Sequence, residues 1–330
     1  MSTAACLIGA GYSHVAGLPL GKDLLSSDVL VTSEWARRHF SAVWEDFHRW
    51  ESSNPNGFPE QYLTELFVGA RGSKAPVFSS AIALIAAVLA TPRGPDVGTY
   101  NTRYSVRVTQ PSRCAPHVQL WSTVFQSFDQ IGVLTTNYDL LIERALRHRP
   151  MKRVFGPGFF YGGLERPQVF TGLALPFTVQ LPMTHVELTG SVPLFKLHGS
   201  LSWSLAGGKM ELFQDMRPAF RRSPTAAIIP PILHKDTPSW LLPVWTQAEA
   251  WLTKADTWII CGYSLPSYDV AINDMLSRSS NGIASSIVIL DPVADALAER
   301  YAAIAPHSRI ITLPGLPNGA MALAEVIPRL

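Results

Sequence analysis

Four short runs hold the residues of this chain whose types and spacing could do chemistry together. They are Gly9-Ala10-Gly11-Tyr12-Ser13 with Ala16-Gly17-Leu18-Pro19, then Thr136-Asn137-Tyr138-Asp139, then Lys196-Leu197-His198-Gly199, and last Gly262-Tyr263-Ser264-Leu265. Gly9 and Gly11 let a backbone approach a phosphate that a side chain would hold off. Asn137 brings a carboxamide and Asp139 a carboxylate. His198 brings an imidazole, which titrates near neutrality and can take a proton from a hydroxyl or a water.

Each run needs an element to place it. Ala4 to Ile8 is an apolar run that reads as a strand feeding the Gly9–Gly11 turn. The helix after that turn is expected to start near Leu18, with Pro19 in its first turn, where a missing N–H costs nothing. Ile131–Thr135 reads as the strand before Asn137, Leu194–Leu197 as the strand before His198, and Trp258–Cys261 as the strand before Gly262. Further strand-like runs are Ala226–Ile229, Ser286–Leu290 and Arg309–Leu313, and helical runs are Trp240–Lys254, Tyr268–Ser277, Ala294–Ile304 and Ala320–Ile327. This alternation predicts an α/β fold, a Rossmann-like doubly wound parallel sheet with its ligand at the carboxyl ends of the strands.

Between the first unit and the second strand, Trp35–Trp50, Phe58 to Leu66 and Val77–Leu89 show helical spacing without an intervening strand. They predict an inserted helical subdomain. Residues 91–117, rich in Pro, Gly, Thr and Arg, read as a loop, and Leu120, Val124 and Phe128 mark the helix that follows. The expected organisation is a Rossmann-like domain over 1–30 and 118–330, a helical insertion over 31–117, and an irregular insertion with small strands over 150–193.

Composition limits what the chain can do. Of 330 residues, 47% are hydrophobic and 16% charged, enough to fill a core and unlike a disordered chain. A formal net charge of +2, with no Lys/Arg run, argues against a nucleic-acid surface. Cys6, Cys114 and Cys261 form no CxxC pair and no disulfide framework. No signal peptide is visible, and the apolar stretch Ala81–Ala90 falls short of the ~20 residues a bilayer needs. A soluble, cytoplasmic protein is expected.

In this order the four runs resemble the NAD pocket of the sirtuin superfamily. The first matches that family's phosphate loop in both halves, Gly-Ala-Gly-x-Ser and Ala-Gly-(Ile/Leu)-Pro. Thr136-Asn137-Tyr138-Asp139 is similar to its Asn-Ile-Asp motif, His198-Gly199 to its His-Gly pair, and Gly262-Tyr263-Ser264-Leu265 to its Gly-Thr-Ser-Leu motif. The resemblance implies a dinucleotide held by Gly9, Ala10, Gly11, Ser13, Gly17, Pro19, Thr136, Gly262 and Ser264, the last on a phosphate. It implies that Asn137 contacts the nicotinamide ribose or holds an attacking water, that Asp139 faces the nicotinamide amide, and that His198 is the general base. Asp139 reads equally as a cap of the helix starting at Leu140. Asp291, which ends the Ser286–Leu290 strand where sirtuins carry Asn, is either a ligand of ribose hydroxyls or an N-cap for the helix after Pro292. Asp269 reads as a first-turn helix acid.

The chain departs from the deacylases at Leu20, Gly21 and Lys22, where they carry Asp-Phe-Arg, and it lacks the cysteines of their zinc ribbon. It most resembles the zinc-less, sirtuin-like NAD hydrolases that serve as effectors in bacterial antiphage defence. That implies NAD as substrate, no metal, no direct nucleic-acid binding and no membrane. It also implies control by assembly, as a homo-oligomer or with a partner such as an Argonaute-like protein or a DNA-translocating ATPase. No appended sensor domain is visible at either end. The alternatives are a non-catalytic NAD or ADP-ribose sensor, an NAD-dependent protein deacylase, and an NAD-dependent dehydrogenase.

Overall fold

The computed structural model describes residues 1–25, 40–69, 75–90, 111–147, 158–165, 168–172, 184–187, 191–206, 209–213, 226–229, 232–233, 237–280 and 284–327. Its strands, in chain order, are β1 (Thr3–Ile8), β2 (Gln130–Thr135), β3 (Phe159–Tyr161), β4 (Val169–Gly172), β5 (Thr184–Glu187), β6 (Val192–Lys196), β7 (Gly199–Ala206), β8 (Lys209–Phe213), β9 (Ala226–Ile228), β10 (Thr257–Cys261), β11 (Ser286–Leu290) and β12 (Arg309–Leu313). Its helices are α1 (Ala10–His14), α2 (Ser41–Ser53), α3 (Pro59–Gly69), α4 (Ala75–Ala90), α5 (Pro111–Ser127), α6 (Leu141–Arg147), α7 (Leu242–Lys254), α8 (Val270–Ser279), α9 (Ala294–Ile304) and α10 (Asn318–Val326).

Seven strands form one sheet in the order β12-β11-β10-β1-β2-β6-β3, and every pairing in it is parallel. The chain winds from β1 towards β2 and β6, then returns to β10 on the other side of β1. The switch point therefore lies between the carboxyl ends of β1 and β10, where such sheets bind ligands. β1, β10 and β11 are buried along their whole length. That is why they read as unbroken apolar runs rather than alternating ones: helices cover a parallel sheet. This is the α/β, Rossmann-like architecture expected from the alternation of runs.

A second sheet, β5-β4-β8-β7-β9, is antiparallel except between β4 and β8. It corrects the expectation for the stretch after β6. Ala226–Ile228 is a strand, but it pairs antiparallel with β7 and takes no part in the parallel sheet. The region expected to be irregular contributes β3 to the edge of the main sheet, and β4 and β5 to the second; much of 150–193 lies outside the described residues.

Two helix boundaries also differ from expectation. The helix after the Gly turn runs from Ala10 to His14 and not from Leu18. It stops because Gly17 turns left-handed at φ 91, and Leu20 continues extended at ψ 163. The loop expected over 91–117 ends earlier: α5 begins at Pro111, the first helical position, where a proline leaves no needed N–H unmade, and it carries Pro116 inside. Residues 91–110 lie outside the described residues, as do 31–39 of the expected insertion.

Helices α2, α3 and α4 share their own core with Leu24, Leu25, Tyr138, Leu140, Leu201 and Ile232. This cluster sits over the Asn137–Leu140 segment and the start of β7. It brings α3, and with it Glu60, to the mouth of the switch point.

Candidate functional site at the sheet switch point

The two loops of the switch point cross at backbone distance. Gly9 N–H donates to Cys261 O at 3.0 Å and Gly11 N–H to Gly262 O at 2.9 Å. A Cβ on Gly11 would lie 2.7 Å from the Gly262 Cα, closer than real side chains come. Gly262 itself sits at φ 64, and Leu265, three residues on, at φ 51, an unusual conformation for a non-glycine. The glycines are thus required first by this crossing. The N–H of Tyr12 is also taken, by Gly9 O at 3.1 Å. Behind the loop, Trp121 Nε1–H donates to the Tyr12 hydroxyl at 2.9 Å, and His117 Nε2 lies 2.8 Å from Tyr12 O. Helix α5 therefore fixes the turn from outside the sheet.

A cavity of 790 Å³ opens at this crossing. That is within the range of small-molecule sites, about 300–1,000 Å³. From the first run it is lined by Ala10, Gly11, Ser13 and Pro19, and from the second by Thr136, Asn137 and Asp139. His198, Gly262, Ser264 and Asp291 complete the set brought together. Gly9 and Gly17 are not on the wall; Gly9 makes the crossing and Gly17 ends α1.

Asn137 is set by a chain of bonds from the sheet. Thr135 Oγ1 donates to Ile8 O at 2.9 Å and accepts the Asn137 N–H at 3.0 Å. The Asn137 Nδ2 donates to Gly9 O at 2.9 Å and to Ser13 Oγ at 3.0 Å. Both its hydrogens are spent, so Oδ1 is the end of this amide left for a ligand.

Asp139 holds two structural bonds at once. Ser13 Oγ donates to its Oδ2 at 2.8 Å, and Leu141 N–H donates to its Oδ1 at 2.9 Å. The capping role and the place on the cavity wall are both real, and both oxygens are engaged. Beneath it Lys196, fully buried, donates to Asp139 O and pairs with Glu143 at 3.1 Å.

His198 occupies the turn between β6 and β7. Its carbonyl accepts Ile229 N–H at 2.8 Å, and Trp245 Nε1–H donates to the neighbouring Leu197 O at 2.8 Å. Its Nε2 faces Asp269 Oδ1 at 3.9 Å, an ion-pair distance, and both residues are 5% exposed. Asp269 corrects its expected role. It sits at the N-cap of α8, but its side chain makes no capping bond. Instead it accepts the Tyr263 hydroxyl at 2.9 Å. Asp291 differs: its Oδ1 accepts Val293 N–H at 3.0 Å, closing the turn into α9, while it also lines the cavity.

Residues outside the sequence runs also enter the wall. Glu60 comes from α3, Tyr268 from the loop before α8, and Arg300 from α9, whose Nη1 donates to Ser264 O at 3.2 Å. Burial, then the negative charge of Asp269, pushes the Tyr263 hydroxyl well above its ordinary value; burial, Asp269 and Glu60 do the same to Tyr138. Burial also pushes up the Cys261 thiol on the wall, leaving it neutral and unreactive. Among the described residues no group of three or more His, Cys, Asp and Glu is arranged to hold a metal ion, and no helix is long and apolar enough to cross a membrane.

Fold and site together define a doubly wound α/β protein with a cavity at the switch point, a largely apolar wall that carries a few polar side chains. No family model matches the chain, and no curated protein matches it. Among solved structures it is similar to a Sir2 protein crystallised with the inhibitor EX-527, 2′-O-acetyl-ADP-ribose and a deacetylated p53 peptide, at 14% identity over 99% of this chain and 93% of that one, with a TM-score of 0.38. The sheet's own strand order and parallel pairing define the fold.

Proposed function

We propose that this protein binds NAD at the switch point and hydrolyses its nicotinamide–ribose bond, giving nicotinamide and ADP-ribose. The observation that carries this reading is the convergence of Asn137 and His198, the two residues the motif resemblance singles out, on one cavity beside a glycine crossing, where Asp269 faces His198. The leaving group is a cationic pyridinium, so the C–N bond breaks towards an oxocarbenium-like ribose and departs as neutral nicotinamide. Positioning and electrostatics then supply most of the acceleration. Asn137 Oδ1 orients the ribose or the attacking water. His198 takes the proton that water loses as its oxygen bonds to C1′, and Asp269 holds the imidazole in place. Ser264 and Arg300, side by side on the wall, are the proposed pyrophosphate contacts, and Asp291 the proposed contact of ribose hydroxyls.

The motif resemblance further supports an effector that depletes NAD in antiphage defence, held inactive until it assembles with copies of itself or with a partner. A second reading, a sensor that binds NAD or ADP-ribose without turnover, is favoured by one observation: the Asn137 Nδ2 and both Asp139 oxygens already serve the fold.

The test is chromatography of NAD incubated with the purified protein at several concentrations, beside the Asn137→Ala variant. Nicotinamide and ADP-ribose from wild type alone support the hydrolase. A steep dependence on protein concentration supports control by assembly. Bound but intact NAD at every concentration leaves the sensor or an effector without its activating partner.

A further inference from the structure

A second, smaller cavity of about 280 Å³ opens between α2 and α3 and shares no residue with the one at the switch point. Asp46, Arg49 and Trp50 line it from α2, and Tyr62 and Glu65 from α3. Spacings of three and four residues put each set on one face of its helix. The Trp50 and Tyr62 rings lie 5.6 Å apart, tilted at 54°. Behind the wall, the buried Phe47 stacks with Trp50 at 6.1 Å and meets Tyr62 edge-on at 5.2 Å, which fixes both rings from the core side. Each ring also orients an acid. The Tyr62 hydroxyl donates to Asp46 Oδ2 at 3.0 Å, and Trp50 Nε1–H donates to Glu65 Oε2 at 2.8 Å.

These bonds pin α2 to α3, but that task needs no open cavity beside the rings and leaves acceptor capacity unused. Among the described residues, the second Glu65 oxygen has no partner. The second Asp46 oxygen meets Arg49 at 3.3 Å, and that side chain is 77% exposed, so the pair is a weak one at the rim. Charge points the same way. Residues 41–69 hold five acids, Glu45, Asp46, Glu51, Glu60 and Glu65, against the single Arg49, in a chain whose formal charge is +2. Negative charge is therefore concentrated on these two helices, which repels nucleic acid and attracts a basic protein surface. Aromatic faces beside a carboxylate suit a flat, weakly hydrated cation. Guanidinium stacks on such faces and pairs with a carboxylate through two N–H groups, whereas the lysine ammonium is compact and strongly hydrated. Trp, Tyr and Arg are also the residues that dominate binding at protein interfaces.

We infer that the α2–α3 cavity is a docking site for an arginine side chain of a protein partner, its guanidinium against Trp50 and Tyr62 and paired with Glu65. The inserted helices then carry a recognition surface of their own, apart from the switch point. The inference does not depend on the NAD reading.

The experiment titrates the full chain with the capped peptide Gly-Arg-Gly and with its counterparts carrying lysine or citrulline, the latter a neutral shape-match of arginine. The readout is the NMR signal of the Trp50 indole N–H, identified by its loss in Trp50→Phe. The arginine peptide is expected to shift that signal saturably at millimolar concentration and to bind about threefold or more tightly than the lysine peptide, while citrulline gives no saturable shift. Glu65→Gln should weaken the arginine peptide by about threefold, the scale of an exposed ion pair. The other indole signals should stay in place in that variant, which reports an intact fold. No saturable shift with the arginine peptide overturns the inference. So does lysine or citrulline binding as tightly as arginine, or an unchanged affinity in Glu65→Gln.

Discussion

Ser13 and Asp139 are joined by a 2.8 Å hydrogen bond that closes the turn after β1 onto the turn after β2. The same carboxylate receives Leu141 N–H at the start of α6. Asp139 is therefore a clamp between two carboxyl ends of the sheet as well as part of a cavity wall. Asp139→Ala would strand both donors, and each buried unpaired group costs about 1–3 kcal/mol. We expect a loss of about 2–4 kcal/mol in denaturant unfolding, and about 1 kcal/mol for Asp139→Asn, which keeps the shape and one acceptor. Unchanged stability in the alanine variant would mean that Asp139 acts on the ligand alone.

The pair His198 and Asp269 yields a prediction on rate. Removing a general base typically costs about 10²–10⁴ in turnover, and His198→Ala should fall in that range. Asp269→Asn keeps the volume and loses only the charge that faces Nε2. Its kcat should drop by about ten- to a hundredfold with little change in KM, because an orienting group acts on the transition state more than on binding. Steady-state kinetics of NAD cleavage decide it. Full kcat in Asp269→Asn would remove the orienting role and leave Asp269 as a partner of Tyr263.

Much of this arrangement is legible in the residues. Trp258-Ile259-Ile260-Cys261 and Ile287-Val288-Ile289-Leu290 are continuous apolar runs ended by Gly262 and Asp291, which signals buried parallel strands with polar groups at their carboxyl ends. Three things were not legible. The start of α1 was hidden because Leu18-Pro19 imitates a helix start, while the actual helix depends on a glycine turn that only tertiary contact fixes. The second sheet was hidden because Ser200, Ser202 and Ser204 alternate along β7 like a solvent-facing set, yet all three are buried. Ser200 and Ser202 bond each other at 3.1 Å, and Ser202 lies 3.4 Å from the Tyr161 hydroxyl, so these two are satisfied inside, whereas the Ser204 hydroxyl is buried without a hydrogen-bond partner. Asp269 and Glu60 were hidden for one reason: each sits at a helix start, where local sequence gives an acid a sufficient job. Their partners, His198 and Tyr268, are remote in sequence, and nothing in local spacing points to them.

Lys196 and Glu143 form a buried ion pair beneath Asp139, with Tyr161 donating to the same Glu143 oxygen at 3.2 Å. The other oxygen of Glu143 has no partner. Removing one member of such a pair leaves a buried charge alone, which costs about 3–5 kcal/mol. Lys196→Met should be destabilised by that amount, whereas Lys196→Met with Glu143→Leu should recover a large part of it, since the desolvated pair itself adds little net stability. Denaturant melts of the two single variants and the double variant form the cycle. A double variant no better than the singles would show that the Lys196 bond to Asp139 O, and not the pair, carries the stability.

The buried tyrosines predict an alkaline limit to stability. Tyr138, Tyr263 and Tyr301 are each pushed well above the ordinary hydroxyl value, by burial first and then by Asp269 for the first two and Asp291 for the third. A folded value above the unfolded one means that the native state holds these protons more tightly. The stabilisation is fully present below the unfolded value of about 10 and is lost as the pH rises from there through the raised folded values. Unfolding free energy should therefore be level in this respect through neutral and mildly alkaline pH, then fall steeply above about pH 10. Tyrosinate absorbance recorded beside circular dichroism tests it: these three should ionise together with the loss of structure. Their ionisation near the ordinary value in a still-folded protein would show that the cavity floor is wet and that the acids do not act on it as described.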